Sequence, residues 1–177
     1  MNITVYLGSR EGSDPALNRA ARELGAWIGG NGHRLIYGGS KCGLMGVLAE
    51  SVLAAGGEVI GIEPRFFVEE GLVYDDITQL IITEDMSQRK TKMMEMGDAF
   101  IAFPGGTGTL EEISEVLCRM AMGKMDKPCV LYNLNGYYEG LRQLLLHMEE
   151  MGLSSLLQEK EVCFAEGLED IKRAVVR

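Results

Sequence analysis

Seven short runs rich in β-branched and aromatic residues, spread along the chain and separated by longer segments of helical period, leave this sequence few ways to fold. The runs are "ITVYLG" (3–8), "RLIYGG" (34–39), "EVIGI" (58–62), "QLIIT" (79–83), "AFIAFP" (99–104), "CVLYN" (129–133) and "VCFA" (162–165). Between them, apolar residues recur at spacings of three and four, as at Leu17, Ala20, Ala21, Leu24 and Ile28, or Leu110, Ile113, Val116, Leu117 and Met120. That is the stripe of an amphipathic helix. Strand and helix in strict turn predict a parallel sheet, because parallel neighbours need crossover connections and the crossover helices then cover both faces. The expected fold is therefore α/β: a single-domain, Rossmann-like doubly wound sheet of about seven mainly parallel strands, with helices on both faces.

A chain of 177 residues, 46% of them hydrophobic, fills one core and is short for two. It has no tandem repeat, no low-complexity tract and only four prolines, so nothing marks an internal boundary. The net charge of −9 argues against a polyanionic partner, which would need a basic footprint. A small anion remains compatible, since backbone dipoles hold phosphate on acidic proteins. Met1 leads directly into the first apolar run, so no secretory leader is expected. No apolar stretch approaches the roughly 20 residues of a membrane span. Cys42, Cys118, Cys129 and Cys163 lie far apart, with no paired spacing and no nearby histidine. Reduced thiols in a cytoplasm, and no metal site, are the expectation.

In an open parallel sheet, ligands sit beyond the carboxyl ends of the strands. Three glycine-rich turns fall there: "LGSREGS" (7–13), "YGGSKCGLMG" (37–46) and "PGGTGTLEE" (104–112). Ser9 of the first turn and Gly39 of the second are candidate binding positions. The spacing at Gly8 does not match a dinucleotide fingerprint, and no Gly-Lys-Ser/Thr of a nucleoside-triphosphate loop occurs. What remains is the turn Gly105, Gly106, Thr107, Gly108, Thr109, opening a helix near Thr109, whose free N–H groups and dipole would face an anion such as a monophosphate. Thr107 and Thr109 add hydroxyl donors. Glu111 and Glu112 follow inside the first helical turns, where a carboxylate is also favoured merely by the dipole. "MSQRK" (86–90) opens another helix at the same edge, so Arg89 and Lys90 are either surface charges or cations that complement a phosphate and Glu112.

Taken together, "YGGSKCGLMG", "MSQRK", "PGGTGTLEE" and "DKPCVLYNLNGYY" (126–138) resemble the Lonely Guy (LOG) family, the cytokinin riboside 5′-monophosphate phosphoribohydrolases, over nearly the full chain. The motif PGGxGTxxE is matched at Pro104, Gly105, Gly106, Gly108, Thr109 and Glu112. In the second signature, M-H-x-R-K, Met86, Arg89 and Lys90 match while Ser87 stands for the histidine. The resemblance implies catalytic roles for Arg89 and Glu112, and a substrate-contacting glutamate after the third strand at Glu70 or Glu69, with Glu70 the choice. It also implies a nucleoside monophosphate as partner, no cofactor and a homodimer. The lysine decarboxylase label often attached to the family finds no sign of a pyridoxal-phosphate lysine here.

The reaction implied is hydrolysis of the N-glycosidic bond of an adenine-type nucleoside 5′-monophosphate. Breaking it develops positive charge on the ribose, as in glycoside hydrolysis. A carboxylate at Glu112 would stabilise that charge or activate water, and Arg89, which does not deprotonate, would position and preorganise. His33 and His147 stand outside the motifs and are expected in structural or solvent roles. The eleven methionines are expected mostly as core filler. A plain AMP nucleosidase and a non-catalytic nucleotide carrier on the same fold are the alternatives.

Overall fold

The computed structural model describes every residue except Leu72, Glu161 and Arg177. Its elements run β1 (Asn2–Tyr6), α1 (Pro15–Gly30), β2 (Arg34–Tyr37), α2 (Gly43–Ala54), β3 (Glu58–Pro64), α3 (Arg65–Glu69), β4 (Gln79–Thr83), α4 (Met86–Met96), β5 (Ala99–Ala102), α5 (Thr107–Ala121), β6 (Cys129–Tyr132), α6 (Glu139–Glu150), α7 (Leu156–Glu159), β7 (Val162–Ala165) and α8 (Leu168–Val175). The strands form one seven-stranded sheet in the order β4-β3-β2-β1-β5-β6-β7, every neighbouring pair parallel. The chain winds outward from β1 to β4, returns to the other side of β1 with β5, and winds outward again. Order therefore reverses between β1 and β5, and the loops leaving these two strands diverge over a crevice.

All seven expected strands are present, most ending one or two residues before the quoted runs do. Gly8, Gly38, Gly39 and Pro104 already belong to loops, because glycine and proline support the turns that leave the sheet. β3 behaves differently and continues through Glu63 and Pro64, paired with Ile82 and Thr83. The short α3 occupies what was expected to be a loop.

Side chains alternate between two cores. Ile3, Val5, Leu35, Val59, Ile101 and Val130 point to one face, under α1, α2 and α8. Tyr6, Ile36, Ile60, Ile62, Phe100 and Leu131 point to the other, under α4, α5 and α6. The period of two in the strands thus meets the helical stripes on both sides. α1 starts cleanly because the Asp14 side chain accepts from the Ala16 N–H at 2.8 Å, with Pro15 in the first turn, where its missing N–H costs nothing.

Two glycines of α1 set how closely α2 approaches. A Cβ on Gly25 would stand 2.6 Å from Ser51 Cβ and 2.8 Å from the Leu48 carbonyl oxygen, and one on Gly29 only 2.4 Å from the Val52 carbonyl oxygen. Gly30, one residue on, faces open space. Gly25→Leu is expected to cost about 3 kcal/mol by overpacking, whereas Gly30→Ala should be neutral or add roughly 0.5 kcal/mol through lost unfolded-state entropy. Urea unfolding of the two variants checks this, and equal midpoints would contradict the packing account.

Candidate active site

The three glycine-rich loops meet backbone to backbone at the carboxyl edge of the sheet. A Cβ on Gly43 would lie 2.4 Å from the carbonyl carbon of Ser9, and one on Gly8 3.6 Å from the Cα of Gly105. Gly43 has no room for a side chain because two loops touch there, whereas a Cβ on Gly8 would make an ordinary contact. Between the loops lies a cavity of about 780 Å³, with the β1 loop on one wall, the β5 loop on another and the ends of β3 and α4 at its floor.

α5 presents its N-terminus to this cavity. It begins at Thr107, two residues earlier than the glycines suggested, with Gly106 as an extended N-cap and no side chain capping the first turn. The leading N–H groups therefore have no intrahelical partner, and the positive dipole end faces the cavity wall. Gly105 lacks a Cβ because Thr109 Oγ1 lies 2.2 Å from where one would be. Gly106 and Gly108 differ, since a Cβ on either meets nothing within 4 Å. Protein packing does not require glycine at these two cavity-lining positions, but a ligand lying against the backbone would. The hydroxyl of Tyr137, which also lines the cavity, donates to the Gly105 carbonyl, and Tyr138 donates to the Phe103 carbonyl at 2.8 Å. The "NGYY" segment thereby steadies the end of β5.

Arg89 rises from the first turns of α4, whose N-cap Asp85 accepts from the Gln88 N–H at 2.8 Å. Its guanidinium is buried. Nε donates to the Ile62 carbonyl at 3.0 Å, and Nη1 stands 3.4 Å from Oε1 of Glu112. A Cβ on Gly38 would come within 2.1 Å of Nη2, which explains the first glycine of "YGG". The Arg89 and Glu112 side chains are 10% and 9% exposed, so removing either would strand a buried charge, a change worth roughly 3 to 5 kcal/mol. Burial pushes the Glu112 carboxyl up to about 7; Arg89 opposes the rise and Glu111 adds to it.

A second carboxyl that the motifs did not single out shares this floor. Glu63, near the end of β3, lines the cavity and is 3% exposed, and its buried Oε2 has no hydrogen-bond partner among the described residues. Its Cγ lies 2.5 Å from where a Cβ on Gly39 would be, and Gly39 adopts φ +85°, which suits glycine alone. Burial pushes the Glu63 carboxyl up to about 7, with Arg89 lowering and Glu112 raising it. One guanidinium thus serves two buried carboxyls.

Of the positions expected from sequence, Ser9, Arg89, Gly105, Gly106, Thr107, Gly108, Thr109, Glu111 and Glu112 line one cavity. Three do not. Gly39 stands behind Glu63, shaping the wall rather than forming it. Lys90 points along the α4–α5 seam, 2.7 Å from Glu111 and 3.4 Å from Glu115, so its charge is spent on a helix clamp. Glu70 is the exposed C-cap of α3 and Glu69 its exposed last residue; the helix turns Phe67, not a carboxylate, toward the cavity. The acid that follows the third run and reaches the cavity is Glu63. Its signal was a lone charge at the end of an apolar parallel strand. Ser87 is exposed and lies off the cavity, and His33 packs edge-on against Trp27 at 5.4 Å, away from the site.

Residues 45–175 match the family described as possible lysine decarboxylase. A cytokinin riboside 5′-monophosphate phosphoribohydrolase of Rhodococcoides fascians is 38% identical over 175 residues, covering 98% of this chain and 88% of that one. An Arabidopsis thaliana protein with the same activity in its name is 38% identical over 153 residues, covering 86% and 72%. Among solved structures, a molybdenum cofactor binding protein of Rippkaea orientalis superposes with a TM-score of 0.71 at 26% identity, covering 97% of this chain and 93% of that one. With Arg89 and Glu112 of the two motifs joined across one cavity, and relatives of this identity along nearly its whole length, the chain belongs to the Lonely Guy family.

Proposed function

We propose that the protein hydrolyses the N-glycosidic bond of adenine-type nucleoside 5′-monophosphates, N6-modified cytokinin ribosides among them, releasing the free base and ribose 5-phosphate. The observation that carries this is the buried Arg89 and Glu112 pair sharing a cavity with an uncapped helix N-terminus. A 5′-phosphate suits the N–H groups of Thr107, Gly108 and Thr109, where backbone donors and the helix dipole act together. Glu112, ionised beside Arg89, stabilises the cationic ribose as the bond to the base lengthens. Arg89 keeps that carboxylate charged and aimed, and its remaining guanidinium donors hold phosphate or ribose oxygens.

The proposed setting is a cytoplasmic homodimer. All four cysteines are free, and among the described residues no helix is long and apolar enough to cross a membrane. Leu110 and Met122, at the two ends of α5, are 44% and 59% exposed and suit burial against a second copy. Light scattering at micromolar concentration should return twice 19.4 kDa; the monomer mass would overturn the dimer.

Base release from AMP, adenosine and N6-substituted monophosphates tests the reaction and its substrate together. Monophosphates should turn over and adenosine hardly at all; equal rates for AMP and adenosine would remove the role given to the α5 N-terminus. Glu112→Gln should keep AMP affinity while lowering turnover by roughly 10²- to 10³-fold, the usual cost of one lost transition-state contact. Tight AMP binding by the wild type without any base release would instead favour a carrier, a role compatible with the shared fold of the molybdenum cofactor binding protein.

The same carboxyls leave a mark on stability. Glu63 and Glu112 bind a proton more tightly folded, near pH 7, than at their ordinary value of 4.5. Their contribution is therefore complete below about pH 4.5 and fades as pH rises to 7, by about 3 kcal/mol for each group at most. The urea midpoint should fall between about pH 4.5 and pH 7, and Glu63→Gln should flatten the fall. An unchanged wild-type midpoint would show that burial does not raise the two carboxyls.

A further inference from the structure

We propose that Glu63 is a second catalytic carboxyl, a general acid that protonates the departing base while Glu112 faces the ribose. The inference rests on the phosphoribohydrolase reading and adds to it the residue that activates the leaving group.

Geometry separates the two acids. Glu112 stands 3.4 Å from Arg89 Nη1 and so is the one paired with a cation. Glu63 lies on the opposite side of β3 from Ile62, whose carbonyl takes the Arg89 Nε–H. Among the described residues its buried Oε2 has no donor, an arrangement that penalises a carboxylate far more than a carboxylic acid. The ionisable and charged groups around it are Arg89 of α4, Glu112 of α5 and Tyr37 of β2, whose hydroxyl is also buried without a partner. Negative charge from Glu112 disfavours ionising Glu63, and because Arg89 is ion-paired with Glu112 and not with Glu63, the geometry puts the charge on Glu112 and the proton on Glu63. A carboxylate paired with a cation beside a carboxyl that has none is the arrangement that acid and base roles require. Gly39, at φ +85°, leaves the space in which the Glu63 side chain rests, so the loop is shaped around this residue.

The step balances. The bond between C1′ and the base breaks with its electron pair going to the base. The Glu63 proton goes to a ring nitrogen of that base, which leaves neutral. Water adds to C1′ and gives up one proton, which restores the acid form of Glu63. No oxidant, reductant or metal is drawn on.

The test compares AMP with 4-nitrophenyl ribofuranoside 5-phosphate, whose phenolate departs without protonation. Glu63→Gln should lower kcat on AMP by roughly 10²- to 10⁴-fold, the range of a lost general acid, and leave the nitrophenyl substrate within about threefold of wild type. Glu112→Gln should lower both. In wild type, AMP turnover should fall as pH rises above 7 while nitrophenyl turnover does not, a readout that needs no variant to fold. Equal losses on both substrates in Glu63→Gln, or wild-type profiles with the same alkaline limb on both, would overturn the role of Glu63. Wild type that cleaves neither substrate would overturn the phosphoribohydrolase reading itself and the acid with it.

Discussion

A guanidinium buried at the carboxyl edge of the sheet makes demands that organise much of the molecule around it. Arg89 needs a counter-charge, partners for its donors and space, and each comes from a different element. Glu112 on α5 supplies charge at 3.4 Å, the Ile62 carbonyl at the end of β3 takes Nε–H, and Gly38 after β2 withholds a side chain. Leaving the counter-charge or the donors unmet would cost several kcal/mol for a guanidinium this buried. The helices that carry the pair are held together farther out by Lys90, which bridges Glu111 and Glu115. Adjacent residues of "MSQRK" therefore act at different depths: Arg89 is turned into the site and Lys90 braces its rim.

The electrostatic balance of the floor follows from that single cation. Two carboxyls, Glu63 and Glu112, are buried near it, and both are pushed up to about 7 by burial, with Arg89 the opposing influence in each case. One positive charge does not compensate two negative ones among buried groups, so the arrangement favours a proton on one of the two carboxyls. An acidic protein, net −9, thus keeps a region near neutrality at the one place where a phosphate would enter. The helix N-terminus adds positive potential without another side chain.

The clustered glycines answer to three separate constraints. Gly43 lets two loops touch, Gly38 and Gly39 leave room for Arg89 and Glu63, and Gly105 accommodates Thr109. Gly106 and Gly108 meet nothing of the protein and line the cavity. Only this last pair is left for a ligand to explain.

The alternation of apolar runs and helical stripes determined the fold, because period and connection length leave a parallel, doubly covered sheet as the way to bury both faces of every strand. Motif spacing likewise brought Arg89, Glu112 and the Gly105 to Thr109 turn to one edge, since each follows directly on a strand. Tertiary structure decided what spacing does not encode, namely which side chains of neighbouring positions turn inward. It sent Lys90 to the seam rather than the cavity, and α3 carried Glu69 and Glu70 outward. β3 ran two residues past its apolar run and set Glu63 at the floor. A carboxylate at a strand end reads in sequence like any surface acid, and only the tertiary fold, with the Gly39 loop laid against its side chain, makes it a buried one.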